Sequence, residues 1–473
     1  MEAKLNSMDH YKPKNLNQII EKLKNLQCTS ILIKKLRPNN NDKNQIYIHP
    51  NPDFLNNIFD LEFSYRAPST SKKKKGARLP IPIAKFNSFA WVNSRGQLNP
   101  VPDCKGIFYA QYPEMRLSGF KSDQGKIPGA LSVQFVKEHP RISRFLLIGA
   151  DSTGRAYAIL TVDPDQDFIN DYEKLPFAPD SRACKFIELE IAETGSERLK
   201  ALLTERVAGK SIKGCRLDSD GNTLPFTGTQ VHGYTLEHEL GILPNASKDG
   251  DIFGIELKCF TKNKLTLFTP EPDGGLYFEN FNEFMLRYGY AKEAVYRFTG
   301  LHRAGTISEK SGLSLFVLCS DKESEDDSLR DYIIHKPFKD QLKNLQVVLM
   351  DEDRVIAASW SLSRLLNNWG VKHNEVVYVP AKVSDNYEEE EKRNGFTKRV
   401  TFGSEVLWCR KSSIERMVKA IATGTIFLDP APKYDPDNPK NNKRRSQWRV
   451  NNIYRDAVHL YEEASRVILI DTQ

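Results

Sequence analysis

The pattern of apolar and polar positions divides the chain into a strand-rich first half and a second half in which strands and helices alternate. Between residues 81 and 165 the apolar positions fall in short runs separated by turns, which predicts β-strands, with a hairpin tip at Ser152-Thr153-Gly154. Beyond residue 226 the spacing predicts helices at 235–241 and 279–298, and strands at 252–260, 264–269 and 313–319. The expected fold class is α/β (α+β), with a β-rich N-terminal domain.

The length of the chain favours two domains. At 473 residues it exceeds the roughly 250–300 residues that one hydrophobic core usually organises. Residues 1–225 form the predicted N-terminal domain, a module that binds DNA or an effector or else a scaffold for dimer contacts. Residues 226–473 form the predicted catalytic domain, because alternating strands and helices are typical of a mixed sheet covered by helices.

Composition narrows the possible partners only mildly. Lys and Arg together number 68 against 61 for Asp and Glu, and the resulting charge of +7 slightly favours a polyanionic partner. The seven cysteines are scattered and contain no CxxC pair, which indicates neither a disulfide framework nor a zinc site. With no stretch near bilayer-spanning length, we expect a cytoplasmic protein without a membrane partner. The acidic run Glu388–Glu391 is predicted to be a solvated loop.

The most informative segment lies around Glu256 and Lys258. These residues are two apart in the apolar sequence IELK, so a strand would point both side chains to one face. Asp251 precedes this strand, after the turn-forming Lys248-Asp249-Gly250, and a bend there can bring its carboxylate beside that of Glu256. The spacing therefore predicts two carboxylates and one lysine in a single site.

Hydrolysis of a phosphodiester is the chemistry that this set of side chains suits. Asp251 and Glu256 can hold a divalent cation and leave coordination positions for a phosphate oxygen and a water molecule. Lys258 can orient or deprotonate that water and offset the charge of the transition state. An ordinary charge pair on an exposed strand remains the alternative for Glu256 and Lys258.

Other carboxylates are weaker candidates. Glu188 and Glu190 share a strand face, but no lysine follows in phase, so they are interpreted as a charged sheet surface. Glu237, at the start of an amphipathic helical pattern, is either a surface carboxylate or an additional metal ligand.

These residues resemble a known family. GYTLEHELGI at 233–242, Asn245, DIFGIELK at 251–258 and the following LTLFT at 265–269 resemble the core of the MvaI/BcnI restriction endonucleases, members of the PD-(D/E)XK nuclease superfamily. Gly250 stands where the superfamily pattern usually has proline. The resemblance covers roughly the C-terminal half. It implies a central mixed sheet flanked by helices, a Mg²⁺ cofactor, and cleavage of double-stranded DNA at sites related to CCNGG, with monomers acting on one strand at a time.

A second segment, Lys440–Arg455, is expected to face DNA. Its basic and aromatic residues are interleaved, and arginine suits guanine edges as glutamine suits adenine. The candidate base-reading residues are Arg444, Arg445, Gln447 and Arg449, with phosphate contact or a solvated loop as the alternative. Trp448 is predicted to be a core anchor.

The leading hypothesis is a type II restriction endonuclease that leaves 5′-phosphate ends, paired with a cognate DNA methyltransferase that it does not contact. One alternative is a strand-nicking repair nuclease of the same superfamily. A different class of protein, a DNA-binding module with an inactive nuclease site, is the other alternative.

Overall fold

The computed structural model describes residues 7–8, 11–38, 46–66, 81–108, 115–189, 195–243, 251–321 and 327–469. Contacts divide the chain into two compact units, Met1–Gly195 and Ser196–Gln473. This division lies N-terminal to the predicted domain boundary at 225/226, so the helix and strands between the two points belong to the second unit. No helix in the described ranges is long and apolar enough to span a bilayer.

The first unit is rich in strands, as predicted. Its helices are α1 (Asn17–Asn25), α2 (Pro52–Ile58), α3 (Val133–Glu138) and α4 (Gln166–Lys174), with a 3₁₀ turn at Gly129–Leu131. Its strands are β1 (Ser7–Met8), β2 (Cys28–Leu36), β3 (Ile46–Tyr47), β4 (Leu61–Arg66), β5 (Ile81–Phe86), β6 (Phe89–Val92), β7 (Leu98–Pro100), β8 (Lys105–Phe108), β9 (Met115–Ser118), β10 (Ile127–Pro128), β11 (Arg144–Asp151), β12 (Ala156–Val162) and β13 (Lys185–Glu188).

Two larger sheets organise this unit. One has the order β13-β2-β11-β12-β6-β7 and the other β3-β9-β8-β5-β4, while β1 and β10 form a separate parallel pair. The predicted hairpin tip at 152–154 joins β11 to β12, which pair antiparallel from Arg144 opposite Val162. Ile19 and Leu23 are one helical turn apart on α1, and both are buried in the core that covers the first sheet.

The second unit combines helices with a mixed central sheet. Its helices are α5 (Gly195–Arg206), α6 (Val231–Glu239), α7 (Leu276–Glu279), α8 (Phe281–Tyr288), α9 (Leu362–Asn368), α10 (Val371–Asn374), α11 (Glu389–Arg393), α12 (Ile414–Ala422) and α13 (Ile453–Leu460), with 3₁₀ turns at Phe338–Asp340 and Pro439–Asn441.

The strands of the second unit belong to several sheets. They are β14 (Ser211–Lys213), β15 (Cys215–Leu217), β16 (Thr223–Pro225), β17 (Glu256–Phe260), β18 (Leu265–Phe268), β19 (Tyr290–Lys292), β20 (Val295–Arg297), β21 (Ser314–Cys319), β22 (Arg330–Asp331), β23 (Gln346–Met350), β24 (Ile356–Ser361), β25 (Glu375–Asp385), β26 (Lys398–Phe402), β27 (Glu405–Ser412), β28 (Phe427–Leu428), β29 (Lys433–Tyr434), β30 (Trp448–Val450) and β31 (Tyr461–Ile468).

The central sheet has the order β14-β26-β25-β27-β31, and β17 pairs parallel with the first half of β25. All its other pairs are antiparallel. Apolar residues of α5 and α6, among them Leu199, Leu203 and Leu236, pack on one face of this sheet. The predicted α/β (α+β) class, a mixed sheet flanked by helices, is confirmed.

Two local predictions differ from the structure. The helix expected over 279–298 ends at Tyr288, and β19 and β20 follow as a hairpin whose turn includes Glu293 at a φ of 58°. At Gly289 the chain is so close to its own helix that a Cβ would lie 2.4 Å from the carbonyl oxygen of Met285, which is why glycine stands there. The acidic run at 388–391 largely enters the short helix α11 instead of a loop, with Lys392 bonded to Glu389.

Candidate active site

Strand β17 places Glu256 and Lys258 on the same face, as their spacing predicts. Leu257 between them points into the apolar core with Val377, its partner on β25. Glu256 is buried, at 5% exposure, and the Lys258 Nζ donates to its Oε1 at 2.9 Å. The burial of Glu256, with Lys258 partly buried beside it, distinguishes the pair from a solvated charge pair on a sheet surface, because desolvated charges are found where a partner or a metal compensates them.

Asp251 is held at the start of the same strand by a tight turn. Ile252 and Ile255 pair across this turn, where Phe253 and Gly254 have φ angles of 53° and 78°. The N–H of Leu257 donates to Asp251 Oδ2 at 2.7 Å. The strand therefore begins at Glu256, later than the predicted 252, and the turn that shortens it brings the Asp251 carboxylate back against the strand.

Glu237 joins the two carboxylates from helix α6. Its pKa is raised to about 7, first by burial and then by the negative charges of Asp251 and Glu256. Thr235 and Leu236 anchor the helix in the core, which leaves Glu237 half-buried on the side facing β17. Asp251 and Glu256 thus lie near enough to Glu237 for their charges to act on it, whereas the sequence left this position undecided between a surface carboxylate and a metal ligand.

An open cleft of about 460 Å³ lies between α6 and β17. Its walls include Glu237 and Lys258, together with His232 and two further lysines, Lys262 and Lys264. His232 bonds to the backbone of Cys259, and burial lowers the pKa of its imidazole. Sequence reasoning missed Lys262 and Lys264. The signal was the basic turn TKNK directly after the candidate strand.

The predicted DNA-facing segment divides into an exposed and an inward part. Arg444 and Arg445 are exposed, and the Arg444 guanidinium lies 4.6 Å from the ring centroid of Phe281. Gln447 is buried, and the Arg449 guanidinium donates to it and pairs with Asp429 at 3.2 Å.

Asp429 also links this inward part to the cleft. It forms an ion pair with Lys264 at 2.5 Å, so Arg449 and Lys264 share one carboxylate. Trp448 is fully buried and stacks on Phe268, in agreement with its predicted role as a core anchor. Gln447 and Arg449 thus lie inward and bond to other side chains, whereas Arg445 is exposed, and Arg444 is exposed while its guanidinium packs on the ring of Phe281.

The remaining sequence candidates lie elsewhere. Glu188 is an exposed residue of β13, at the edge of a sheet in the first unit, and Glu190 lies outside the described residues, as do Asn245 and Gly250. All seven cysteines, each within the described part of the chain, are thiols, as the absence of a disulfide pattern predicted.

Comparison with known proteins identifies the family. No curated protein matches the chain. Two solved structures with weak similarity are a restriction endonuclease MvaI–cognate DNA substrate complex and restriction endonuclease MvaI in the absence of DNA. The first has 14% identity and a TM-score of 0.39 over 58% of this chain and 97% of that one. The second has 13% identity and a TM-score of 0.30 over 59% of this chain and 100% of that one.

The sequence model of the MvaI/BcnI restriction endonuclease family matches residues 206–459, more than half of the chain and the whole candidate site. The chain therefore belongs to the MvaI/BcnI restriction endonuclease family.

Proposed function

We propose that the protein is a type II restriction endonuclease that hydrolyses double-stranded DNA at a short specific site with Mg²⁺ as cofactor. The observation that carries this proposal is the convergence of Glu237, Asp251 and Glu256 beside Lys258 at an open cleft. The family match supports a DNA nuclease. A site sequence related to CCNGG, and a cognate methyltransferase that protects it, belong to the same proposal.

The donor set suits a hard divalent cation. Three carboxylates supply oxygen ligands only, which Mg²⁺ prefers, and burial, followed by the negative charges of Asp251 and Glu256, raises the pKa of Glu237. Asp251 and Glu256 would hold the ion, with Glu237 as an additional ligand. When bound, Mg²⁺ would polarise the scissile phosphate and lower the pKa of a coordinated water molecule.

The chain's own residues would position the reactants. Lys258 is kept in place by its bond to Glu256, and its ammonium can orient the attacking water and offset negative charge at the phosphorus. Lys262 lines the cleft and would contact the DNA backbone, whereas Lys264 lines the same wall but pairs with Asp429. Of the four candidate base-reading residues, Arg444 and Arg445 are exposed and would contact bases or phosphates. The N-terminal unit would bind DNA or an effector.

The test is cleavage of unmethylated plasmid by the full chain with Mg²⁺, beside a Lys258→Ala variant. We expect discrete fragments that share one terminal motif, and at least a ~10²-fold loss of rate in the variant, since one preorganised electrostatic contact typically contributes this much. Lys382→Ala, an exposed lysine on β25, is the matched control and should cleave normally.

Three other results of the cleavage assay would each contradict a part of this proposal. Nicked plasmid without double-strand breaks would replace the proposal with a strand-nicking repair nuclease of the same superfamily. Site-specific binding without cleavage in Mg²⁺ or Mn²⁺ would show a DNA-binding protein with an inactive site. Normal cleavage by Lys258→Ala would refute the role of this lysine.

A further inference from the structure

A second cluster of metal-ligating side chains lies on helix α6, next to the catalytic carboxylates but separate from them. Cys215 begins β15, while His238 and Glu239 end α6. Their donor atoms all lie within 4.8 Å of one another. Cys215 lies more than 20 residues before His238 and Glu239 in the chain, so no short ligand-spacing motif in the sequence indicated a metal site.

The geometry around His238 presents one ring nitrogen to the cluster. Nε2 lies 2.8 Å from Thr223 Oγ1 on β16, and Nδ1 lies 2.8 Å from Glu239 Oε1. If Nε2–H donates to the threonine hydroxyl, the Nδ1 lone pair faces the carboxylate. An outer hydrogen bond that fixes the imidazole in this way is the usual support for a metal-ligating histidine.

Cys215 completes the cluster from the buried side. Its side chain is fully buried, whereas those of His238 and Glu239 are about one fifth exposed. Burial, and after it the charge of Glu239, raises the pKa of the Cys215 thiol to about 12. A cation between the thiol, the carboxylate and the imidazole would offset both effects, since metal binding deprotonates a coordinating thiol.

We propose that Cys215, His238 and Glu239 bind a transition-metal ion of the zinc class, which ties helix α6 to the β15–β16 hairpin. Thiolate and imidazole ligands select zinc or cobalt over magnesium, whereas the neighbouring site offers only carboxylates. Three protein ligands with water in the fourth position give the tetrahedral coordination that zinc prefers. Binding releases the thiol proton to solvent and involves no redox step.

The position of the cluster gives the metal a structural role. Cys215 and Thr235 already join the hairpin to the helix, through bonds of 3.2 and 3.3 Å between the threonine hydroxyl and the cysteine backbone. The metal would add a second connection one turn further along α6. Because Glu237 lies on the same turn, this connection would also limit the movement of the helix that presents it to the cleft.

Cobalt is the probe that tests the proposal. The full chain is freed of metal with a chelator and titrated with Co²⁺ alone. We expect the near-ultraviolet thiolate-to-cobalt charge-transfer absorption at a single equivalent. Cys215→Ser should abolish it, while Cys259→Ser, which removes a thiol at the catalytic cleft, and Glu256→Gln should leave it unchanged.

A second variant covers the case in which Cys215→Ser does not fold. His238 is partly exposed, so His238→Gln should fold. It should lose the intense visible absorption typical of tetrahedral cobalt. It should also lose the rise in thermal midpoint that we expect Zn²⁺ to give the wild type. Absence of charge-transfer absorption in the wild-type protein would overturn the proposal. Its persistence in Cys215→Ser would do the same.

Discussion

Replacing Glu237 by glutamine tests whether three carboxylates share the active site. The pKa of Glu237 is raised from 4.5 to about 7 by burial, then by Asp251 and then by Glu256. Between these two values the folded chain holds a proton that the unfolded chain has lost. The stabilisation from this proton is therefore fully present below about pH 4.5 and is lost as pH rises through about 7. The metal-free protein should accordingly be less stable at alkaline pH than Glu237→Gln.

The structure sets the size of the effect. The difference between the two pKa values corresponds to at most roughly 3 kcal/mol, at about 1.4 kcal/mol per pH unit. Because Glu237 is partly exposed, solvent screening reduces this to roughly 1–2 kcal/mol. We expect Glu237→Gln to gain this amount over the wild type at about pH 8 and little at about pH 4.5.

Urea unfolding of the chelator-treated full chain measures the difference between variant and wild type. Four of the five tryptophans lie in the second unit, so their fluorescence mainly reports the unit that contains Glu237. Glu205→Gln, which changes an exposed carboxylate on α5, is the control and should show no such pH dependence. Equal stability of Glu237→Gln and wild type at both pH values would refute the shared site, as would a destabilised variant at alkaline pH.

Two further predictions concern the segment around Trp448. Trp448→Ala should destabilise the protein by about 3–5 kcal/mol in the same unfolding assay, because it empties a fully buried site against Phe268; a loss under about 1 kcal/mol would contradict this. Arg445→Ala should weaken DNA binding and reduce the slope of log K against log salt by about 1, whereas Arg449→Ala should mainly lower stability, since Arg449 pairs with Asp429. Gel-shift titrations at several salt concentrations, alongside urea unfolding, would separate the two arginines, and identical behaviour would contradict the distinction.

Local patterns predicted the strand of the candidate site well. The two-residue spacing of Glu256 and Lys258 places them on one face because the pleat of a strand depends only on neighbouring residues. The start of that strand was less predictable. The backbone at Phe253 has a positive φ of 53°, a conformation that the residue type phenylalanine does not predict. The turn is stabilised by the pairing of Ile252 with Ile255 and by the hydrogen bond from the Leu257 N–H to Asp251.

Contacts between residues far apart in the sequence determine the features that the local sequence pattern did not predict. Gln447 and Arg449 have the residue types of base readers, yet they bond to each other and to Asp429. The strand β28 ends just before Asp429, and the pairing of β28 with β30 brings the two segments together. Similarly, the helical spacing over 279–298 continues beyond Tyr288, but the chain turns there to pair β20 with β29. Neither partner can be found from the local pattern.

Residues far from Glu237 in the sequence also determine its role, in this case through their charges. On its helix it is one carboxylate among many, and nothing in the local sequence distinguishes it from Glu239. Folding places it where burial, Asp251 and Glu256 all oppose its ionisation. Such an arrangement costs stability in the folded chain, and a buried excess of negative charge persists where a cation compensates it. The position of Glu237 therefore supports the proposed metal site in a way that the spacing of Glu256 and Lys258 does not, because a simple charge pair would explain the spacing but not a third carboxylate nearby.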